Sequence, residues 1–303
     1  MVKFVAQRVL SLIAVVVMVT VVTWLCIHLL RPESFAFDER NLVVQLGDYL
    51  YRAFLHFDLG NSWENNQPPV ADMLREGLPA DLWLLAGGMA FGLLLGLAAG
   101  TVVGARPRAS LSRLIETVSM VFLCAPVYVV GLGVLLTFGA GIAVSGIGIV
   151  PLKYVPFEES PIRWLGSMIT PWIVLGLPLA ALCERMMNSS MREVLHEEFV
   201  RTALAKGISH RQMLRRHAVP AAAAPVFTLA GVTVPVMVTN MVLVELTFSI
   251  PGVFQTIRSS MDDADFPVIQ GTVIAAAFLV AAASLIVDVA LAWLDPKLRA
   301  AGA

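Results

Sequence analysis

Charge is what this sequence has least of. Only 14% of its 303 residues are Asp, Glu, Lys or Arg, while 58% are hydrophobic and the mean hydropathy is +0.79; soluble domains carry about 25% charged residues. A water-soluble globule is excluded. Neither sign is in excess, since 21 basic and 22 acidic residues leave a net charge of −1, so the positive field that a nucleic-acid binder needs is missing. Cysteine is scarce too. Cys26, Cys124 and Cys183 lie far apart in apolar stretches, where they offer neither a disulfide framework nor a zinc spacing and read as small buried hydrophobes. His28, His56, His196, His210 and His217 form no H-x-x-x-H pair, and no G-x-x-x-x-G-K-[ST] phosphate loop occurs. No catalytic residues, metal ligands or bound cofactor are therefore expected, and the chain cannot hydrolyse ATP by itself.

What is present is long apolar runs. Crossing a hydrocarbon core of about 30 Å takes about 20 residues of helix, and six stretches qualify: 9–30, 82–104, 114–138, 170–187, 219–246 and 271–294. The expectation is an all-α membrane protein with six transmembrane helices, divided into an N-terminal segment and first helix (1–30), an outer region (31–81) and a five-helix core (82–303). The first run follows Lys3 and Arg8 but continues to Arg31-Pro32 without a small-residue cleavage site, so it reads as a retained helix rather than a signal peptide. Alternate loops hold 14 of the Lys and Arg residues and the opposite set holds 7. By the positive-inside rule a multi-pass membrane protein with both termini cytoplasmic is expected. Gly87, Gly88, Gly92, Gly96, Gly100 and Gly104 put a small residue on nearly every turn of the second span, a pattern for close helix packing in a bilayer or for lining a path.

The polar loop 188–219 between the fourth and fifth spans carries helical punctuation. Ser189 or Ser190 is placed to cap a helix holding Glu193, Glu197 and Glu198 early and Arg201 and Lys206 late, in the order that suits the macrodipole. Gly207 falls where a left-handed residue would end it. A second short helix begins at Ser209 with Gln212 at capping-box spacing and is expected to end before Pro220. Val194, Leu195, Phe199, Val200, Ala203 and Leu204 recur at three- and four-residue spacing and give the first helix an apolar face. The inner leaflet, the ends of the spans, or a groove on another protein could each cover that face.

Acidic residues in or at the ends of spans are the other candidates, because charge in hydrocarbon is costly. Glu116 lies within a turn of Arg113 and reads as an ion pair; Glu245 precedes the break at 247–252 and suits an outer gate; Asp288 reads as a helix–helix hydrogen bond or a solute contact. Pro251-Gly252 and Asp265-Phe266-Pro267 bracket an outer segment, 253–261, able to form a short helix over a mouth. Met237 and Met241, one turn apart, suit either core packing or an adaptable passage.

The stretch Glu198-Phe199-Val200-Arg201-Thr202-Ala203-Leu204-Ala205-Lys206-Gly207-Ile208-Ser209, continuing to Leu214-Arg215-Arg216-His217-Ala218 and Pro225, resembles the EAA-type coupling loop of binding-protein-dependent ABC importer permeases. Within them it is most similar to the dipeptide/oligopeptide (DppB/OppB-like) group, whose Arg-Thr-Ala variant stands here at Arg201, Thr202 and Ala203. Val5-Ala6-Gln7-Arg8-Val9-Leu10, Asp58-Leu59-Gly60-Asn61-Ser62, Pro69-Val70, Leu78-Pro79-Ala80, Glu245 to Gly252, Asp265 to Gly271 and Leu294-Asp295-Pro296-Lys297-Leu298-Arg299 follow the family in order. Where the family has Pro-Gly-Asp-Pro and a longer outer region with its own helices, this chain has Arg31-Pro32-Glu33-Ser34 and a shortened one.

The resemblance implies a type I ABC importer permease fold with a cytoplasmic coupling helix between the fourth and fifth spans. It also implies a non-catalytic subunit that forms a pathway with a second homologous permease. Two ATPase subunits, which hold the ATP and magnesium, would grip the coupling loop, and an extracytoplasmic substrate-binding protein would deliver dipeptides or oligopeptides. Phe199, Ala203, Leu204 and Gly207 are then expected at the docking centre, within the motif that begins at Glu198, and Arg201, Lys206 and Arg211 at its rim. Met237, Met241, Glu245, Pro251, Gly252 and Asp288 are the gate or pathway candidates. Nickel chelates, glutathione or another small solute are the alternative cargo, and a stand-alone secondary transporter or an intramembrane hydrolase using Ser145 are the competing classes.

Overall fold

The computed structural model describes residues 2–30, 41–63, 68–141, 144–255 and 257–294. Every regular element among them is helical, with two isolated bridges, Asn61 with Pro69 and Gly139 with Val150. The chain divides into two compact units, Met1–Leu82 with Ile250–Ala303, and Trp83–Ser249. Residues from 250 onward thus group with the N-terminal region.

In the first unit, α1 (Val2–Leu30) packs along α12 (Phe266–Leu294) and touches α2 (Leu42–Leu55). The outer region is short but not helix-free. Asn41 caps α2 by accepting the Val43 N–H at 3.1 Å, and burial pushes the Tyr49 phenol on this helix up from its ordinary range. The first turns of α3 (Val70–Ala105) also belong to this unit, so the second apolar run starts as a helix twelve residues before the expected 82. Gly271 lets α12 approach this end closely, since a Cβ there would overlap the Val70 side chain. A short helix, α11 (Ile257–Asp262), lies in the outer segment 253–261.

The second unit holds the rest of α3, then α4 (Ser110–Cys124), α5 (Val127–Phe138), α6 (Pro161–Val194), α7 (Glu198–Ala205), α8 (His210–Met213), a π turn (Leu214–Ala218), α9 (Val219–Val232) and α10 (Val234–Phe248). Its frame is backbone contact between α3 and α6. A Cβ on Gly92 would come within 2.7 Å of the Gly176 carbonyl oxygen, one on Gly96 within 2.7 Å of Ala180 O, one on Gly100 within 2.5 Å of Glu184 O, and one on Gly104 within 3.3 Å of Asn188 O. Four glycines at a spacing of four face four carbonyls at the same spacing. The two helices therefore run parallel, and their C-terminal ends emerge on one side. At the other end Trp83, Trp164 and Trp172 meet edge to face at 5.4 and 5.7 Å, and Trp172 Nε1 donates to the Trp83 carbonyl at 2.8 Å. Aromatics of this kind suit the membrane–water boundary.

Four helices are individually long and apolar enough to cross a membrane: α1 over Ala6–Leu29, α3, α6, and α12 over Phe266–Val287. The other two expected spans are bent pairs. The third is not the single helix expected over 114–138: α4 and α5 meet at 107° across Ala125-Pro126, both in extended conformation. Pro126 supplies no N–H and disfavours helix at the residue before it, so an apolar run that passes the length test is cut in two. The fifth bends by 55° at Thr233, where Pro235 opens α10. The cysteines also differ from expectation: Cys183 is buried, but Cys26 and Cys124 are exposed on the chain, as thiols on outward helix faces are.

The glycine stripe generates a direct prediction. Gly96→Val, which forces a side chain against Cys183 and the Ala180 carbonyl, is expected to destabilise by about 1–3 kcal/mol. Gly133, with nothing within 4 Å of its Cβ direction, should accept Ala with no comparable loss. Thermal unfolding midpoints of the two variants in detergent check this; equal midpoints would refute the backbone-contact reading.

Candidate functional site

The segment after α6 is built by side chains that the sequence pattern assigns correctly only in part. α6 does not stop at Ser189 or Ser190, which lie inside it; it runs to Val194. Met187 and Met191, both fully buried, pack against Gly100 and Gly104 and carry the helix two turns further than the serines suggest. Leu195 to Glu197 then turn the chain, with His196 Nδ1 donating to the Arg192 carbonyl at 2.6 Å. α7 begins after Glu197, whose side chain makes no capping bond.

The end of α7 matches its sequence signal. Gly207 has φ +82°, its N–H donates to Leu204 O at 3.0 Å, and the Ile208 N–H donates to Ala203 O at 3.3 Å. Those two bonds are the Schellman pair. Ser209 then accepts the Gln212 N–H at 3.4 Å and caps α8. Pro220 does not end this helix as expected. A π turn with a Val219 N–H to Leu214 O bond widens the ladder, and the helix continues from His210 to Val232 with Pro220 in the first turn of α9.

Exposure sorts the expected docking residues. Phe199 and Leu204 are 44% and 41% exposed, and Glu198, Arg201, Thr202, Lys206, Gly207 and Arg211 are also at the surface. Ala203 is not. With Val200 it turns into the subunit, on the side where α7 packs against α8, so it belongs to the support of the helix and not to its outer face.

Three carboxylates hold segments of the first unit. Asp58 Oδ1 accepts the Gly60 N–H at 2.9 Å and shapes a turn with Gly60 at φ +85°. Ser62 Oγ then donates to Asp265 Oδ2 at 2.5 Å, the Trp63 N–H donates to the same oxygen at 3.1 Å, and Asp265 Oδ1 accepts from Val268 N in the first turn of α12. Trp63 meets the Phe266 ring edge to face at 5.6 Å. The Asp58–Ser62 and Asp265–Pro267 stretches, more than 200 residues apart, are thus one latch. Asp81, which sequence reasoning passed over, is fully buried and accepts the Val253 N–H at 3.1 Å. One turn before it, a Cβ on Gly77 would sit 2.8 Å from Val253 N. The turn Pro251-Gly252-Val253 is fixed to α3 by these two contacts.

The remaining gate candidates fall in different places. Met237 and Met241 are 3% and 0% exposed, enclosed in the subunit's own packing. Glu245 is fully buried on α10, four residues before Ser249 closes that helix in the left-handed conformation at φ +51°. Gly252 is buried and Pro251 exposed. Asp288 is carried on α12, and its side chain lies outside the described residues.

Glu116 does not pair with Arg113 as expected. It accepts Asn188 Nδ2 at 3.1 Å and stands 3.7 Å from Arg192, whose Nε donates to Asn188 Oδ1 at 2.9 Å. This network closes one part of an open groove of about 890 Å³ between α4 and α6. On the same groove stands Glu184, 1% exposed, with neither carboxylate oxygen hydrogen-bonded among the described residues. A buried polar group left so costs about 1–3 kcal/mol, more if charged. Its position inside the expected fourth span was the signal available in the sequence. Among the described residues no three His, Cys, Asp or Glu side chains are grouped to hold a metal.

Residues 92–300 match the family of inner membrane components of binding-protein-dependent transport systems. The chain belongs to this family. Relatives along the permease's whole length include a Brucella abortus protein named as a peptide transport system permease, 29% identical over 99% of both chains. The dipeptide transport system permease of Haemophilus influenzae is 27% identical over 99% of this chain and 100% of its own, and the glutathione transport system permease of Escherichia coli is 28% identical over 99% of both. As an inner membrane component, the permease serves a binding protein and works among other subunits of a transport system.

The latch predicts a specific loss in this permease. Asp265→Asn keeps the size of the side chain but can turn Oδ2, which accepts two of the three bonds, into an NH2 donor, so it should cost about 1–3 kcal/mol. Limited proteolysis between residues 58 and 69 should accelerate accordingly, and an unchanged cleavage rate would contradict the latch.

Proposed function

We propose that this chain is a membrane subunit of an ATP-driven importer for dipeptides and oligopeptides. It forms the pathway with a second homologous permease, receives solute from an extracytoplasmic binding protein, and is moved by ATPase subunits that grip α7. The observation that carries the reading is Phe199 and Leu204, each part-exposed on a helix closed at its C-terminal end by the Gly207 turn. Two part-exposed apolar side chains, with Arg201 exposed on the same helix, Lys206 at its C-cap and Arg211 exposed on the next, are suited to a groove on a partner protein rather than to water.

Rigid transmission needs a helix that does not fray. The Schellman closure at Gly207 and the cap at Ser209 fasten α7 to α8, and α8 runs without a break into α9. A displacement of α7 is therefore carried into the spans as a body rather than absorbed in a loop. Orientation fits the same scheme. α3 and α6 run parallel, so the Arg106-Pro107-Arg108 turn and the α7–α8 segment lie on one side, and the positive-inside rule makes that side cytoplasmic, as it does both termini. The names of the relatives support peptide as the cargo class, and Glu245, Pro251 and Gly252 are the gate candidates at the opposite end of α10 and beyond it.

Mild-detergent purification of the tagged chain from its native membrane should bring down a second permease and ATPase subunits, and recovery of the chain alone under several detergents would overturn the proposal. Within the complex, Phe199→Cys and Leu204→Cys should crosslink to ATPase cysteines with nucleotide-dependent yield, whereas Ala203→Cys should not. Gly207→Val places a β-branched residue where φ is +82°, a strain of about 1–2 kcal/mol. It is expected to lower uptake per ATP hydrolysed, while Gly207→Asn, which tolerates that conformation, keeps it. Equal coupling ratios in the two variants would remove α7 from the coupling role.

A further inference from the structure

The coupling scheme leaves Glu184 without a task. It stands on α6 one turn before Asn188 and ten residues before the end of the helix, about 15 Å at the helical rise. Around it, the other acid of the groove is already matched, because Glu116 takes the Asn188 amide and Arg192. Neither oxygen of Glu184 makes a hydrogen bond of ordinary geometry among the described residues; the Ser119 hydroxyl is the one side-chain donor that acts on it, and Arg185 and Arg192 act through their charge alone. A single hydroxyl leaves one oxygen of the carboxyl without a partner in either protonation state. A carboxyl group so placed in a membrane helix awaits a group from outside the described chain.

The groove describes that group. At about 890 Å³ it is far larger than one inserted side chain needs, and polar side chains line it along α6 and the near part of α4, with Met120, Val121 and Cys124 making the remainder apolar. Arg113 and Arg185 line it as well, both exposed and neither in an ion pair among the described residues. One buried carboxylate and two guanidiniums outside any ion pair among the described residues, Arg185 acting on Glu184 only through its charge, complement a molecule with an ammonium group at one end and a carboxylate at the other.

We infer that Glu184 receives the protonated amino group of the transported solute while Arg113 and Arg185 face its carboxylate, making the α4–α6 groove a relay site for zwitterions inside the subunit. The inference rests on the importer reading and narrows it. Cargo held here is amine-bearing, as unblocked peptides are, and a neutral sugar or an anionic metal chelate would leave Glu184 unpaired. Cys124 lines the same groove and supplies a native reporter thiol.

The test uses the complete transporter, purified with its subunits and reconstituted in proteoliposomes with its binding protein. The probes are L-alanyl-L-alanine and its N-acetyl derivative, and the readout is the ratio of their uptake rates. Because the binding protein is the same throughout, a change of ratio between wild type and Glu184→Gln belongs to this chain. The ratio is expected to fall roughly tenfold or more in Glu184→Gln, as for loss of one partner of a buried charge pair. If wild type imports alanyl-alanine and the variant keeps the wild-type ratio, the relay site is overturned while the importer reading stands. If wild type imports neither dipeptide, the peptide reading fails and takes the relay site with it. A second measurement needs no variant at Glu184: in transporter carrying Cys26→Ser, alanyl-alanine should slow modification of Cys124 by a trimethylammonium-ethyl methanethiosulfonate, and the N-acetyl derivative should not. Equal protection by both, or protection by neither, overturns the assignment.

Discussion

Backbone contact between α3 and α6 is the constraint on which the second unit depends. Inside a bilayer, helices gain nothing by hiding apolar surface from lipid, so they associate through close packing and weak polar contacts. Gly92, Gly96, Gly100 and Gly104 bring Cα atoms up to the carbonyls of Gly176, Ala180, Glu184 and Asn188, a geometry in which Cα–H groups approach carbonyl oxygens directly. Because the spacing is four residues on both helices, the contact also sets their register. That register puts Met187 and Met191 under the stripe, extends α6 to Val194, and decides where α7 begins.

From this frame the functional segment inherits its stiffness. α6 delivers the chain to a three-residue turn, α7 is closed by Gly207, and α8 passes through a π turn into α9 without interruption. The π turn answers a local conflict. Pro220 cannot donate to the ladder, and a wider turn just before it lets the helix proceed instead of stopping. The closed end of α7 and the bends at Ala125-Pro126 and Thr233 are complementary features of one unit: in the proposed coupling the first would transmit displacement, while the others divide apolar runs into shorter helices.

The first unit solves a different problem with buried carboxylates. Its outer segments have little apolar periodicity of their own, so Asp265 and Asp81 gather backbone and hydroxyl donors that would otherwise be enclosed without partners. Asp58-Leu59-Gly60-Asn61-Ser62 and Asp265-Phe266-Pro267 were legible as motifs but not as partners, since nothing local in either stretch points to the other. Asp81 was not legible at all: on a helix it reads as an ordinary polar position, and only the approach of Val253 gives it a role. Glu184 was missed for the opposite reason. It lay in plain view within a span, and its importance comes from what the fold fails to place beside it.

The sequence by itself determined the class of protein, the places of six apolar runs, the cap at Ser209 and the stop at Gly207, because these rest on composition and on hydrogen bonds that close within a few residues. Family membership was legible for a related reason, the motif from Glu198 to Ser209 being continuous in the chain. Tertiary structure alone decided which face of α7 is covered, with Ala203 and Val200 turned inward and Phe199 and Leu204 part-exposed on either side of them, and that Glu116 meets Arg192 and Asn188 instead of its neighbour Arg113. It also decided that Ser189 and Ser190 lie inside a helix they were placed to begin. Each of those outcomes depends on which surface arrives from a distant part of the chain, and local propensity carries no information about that arrival.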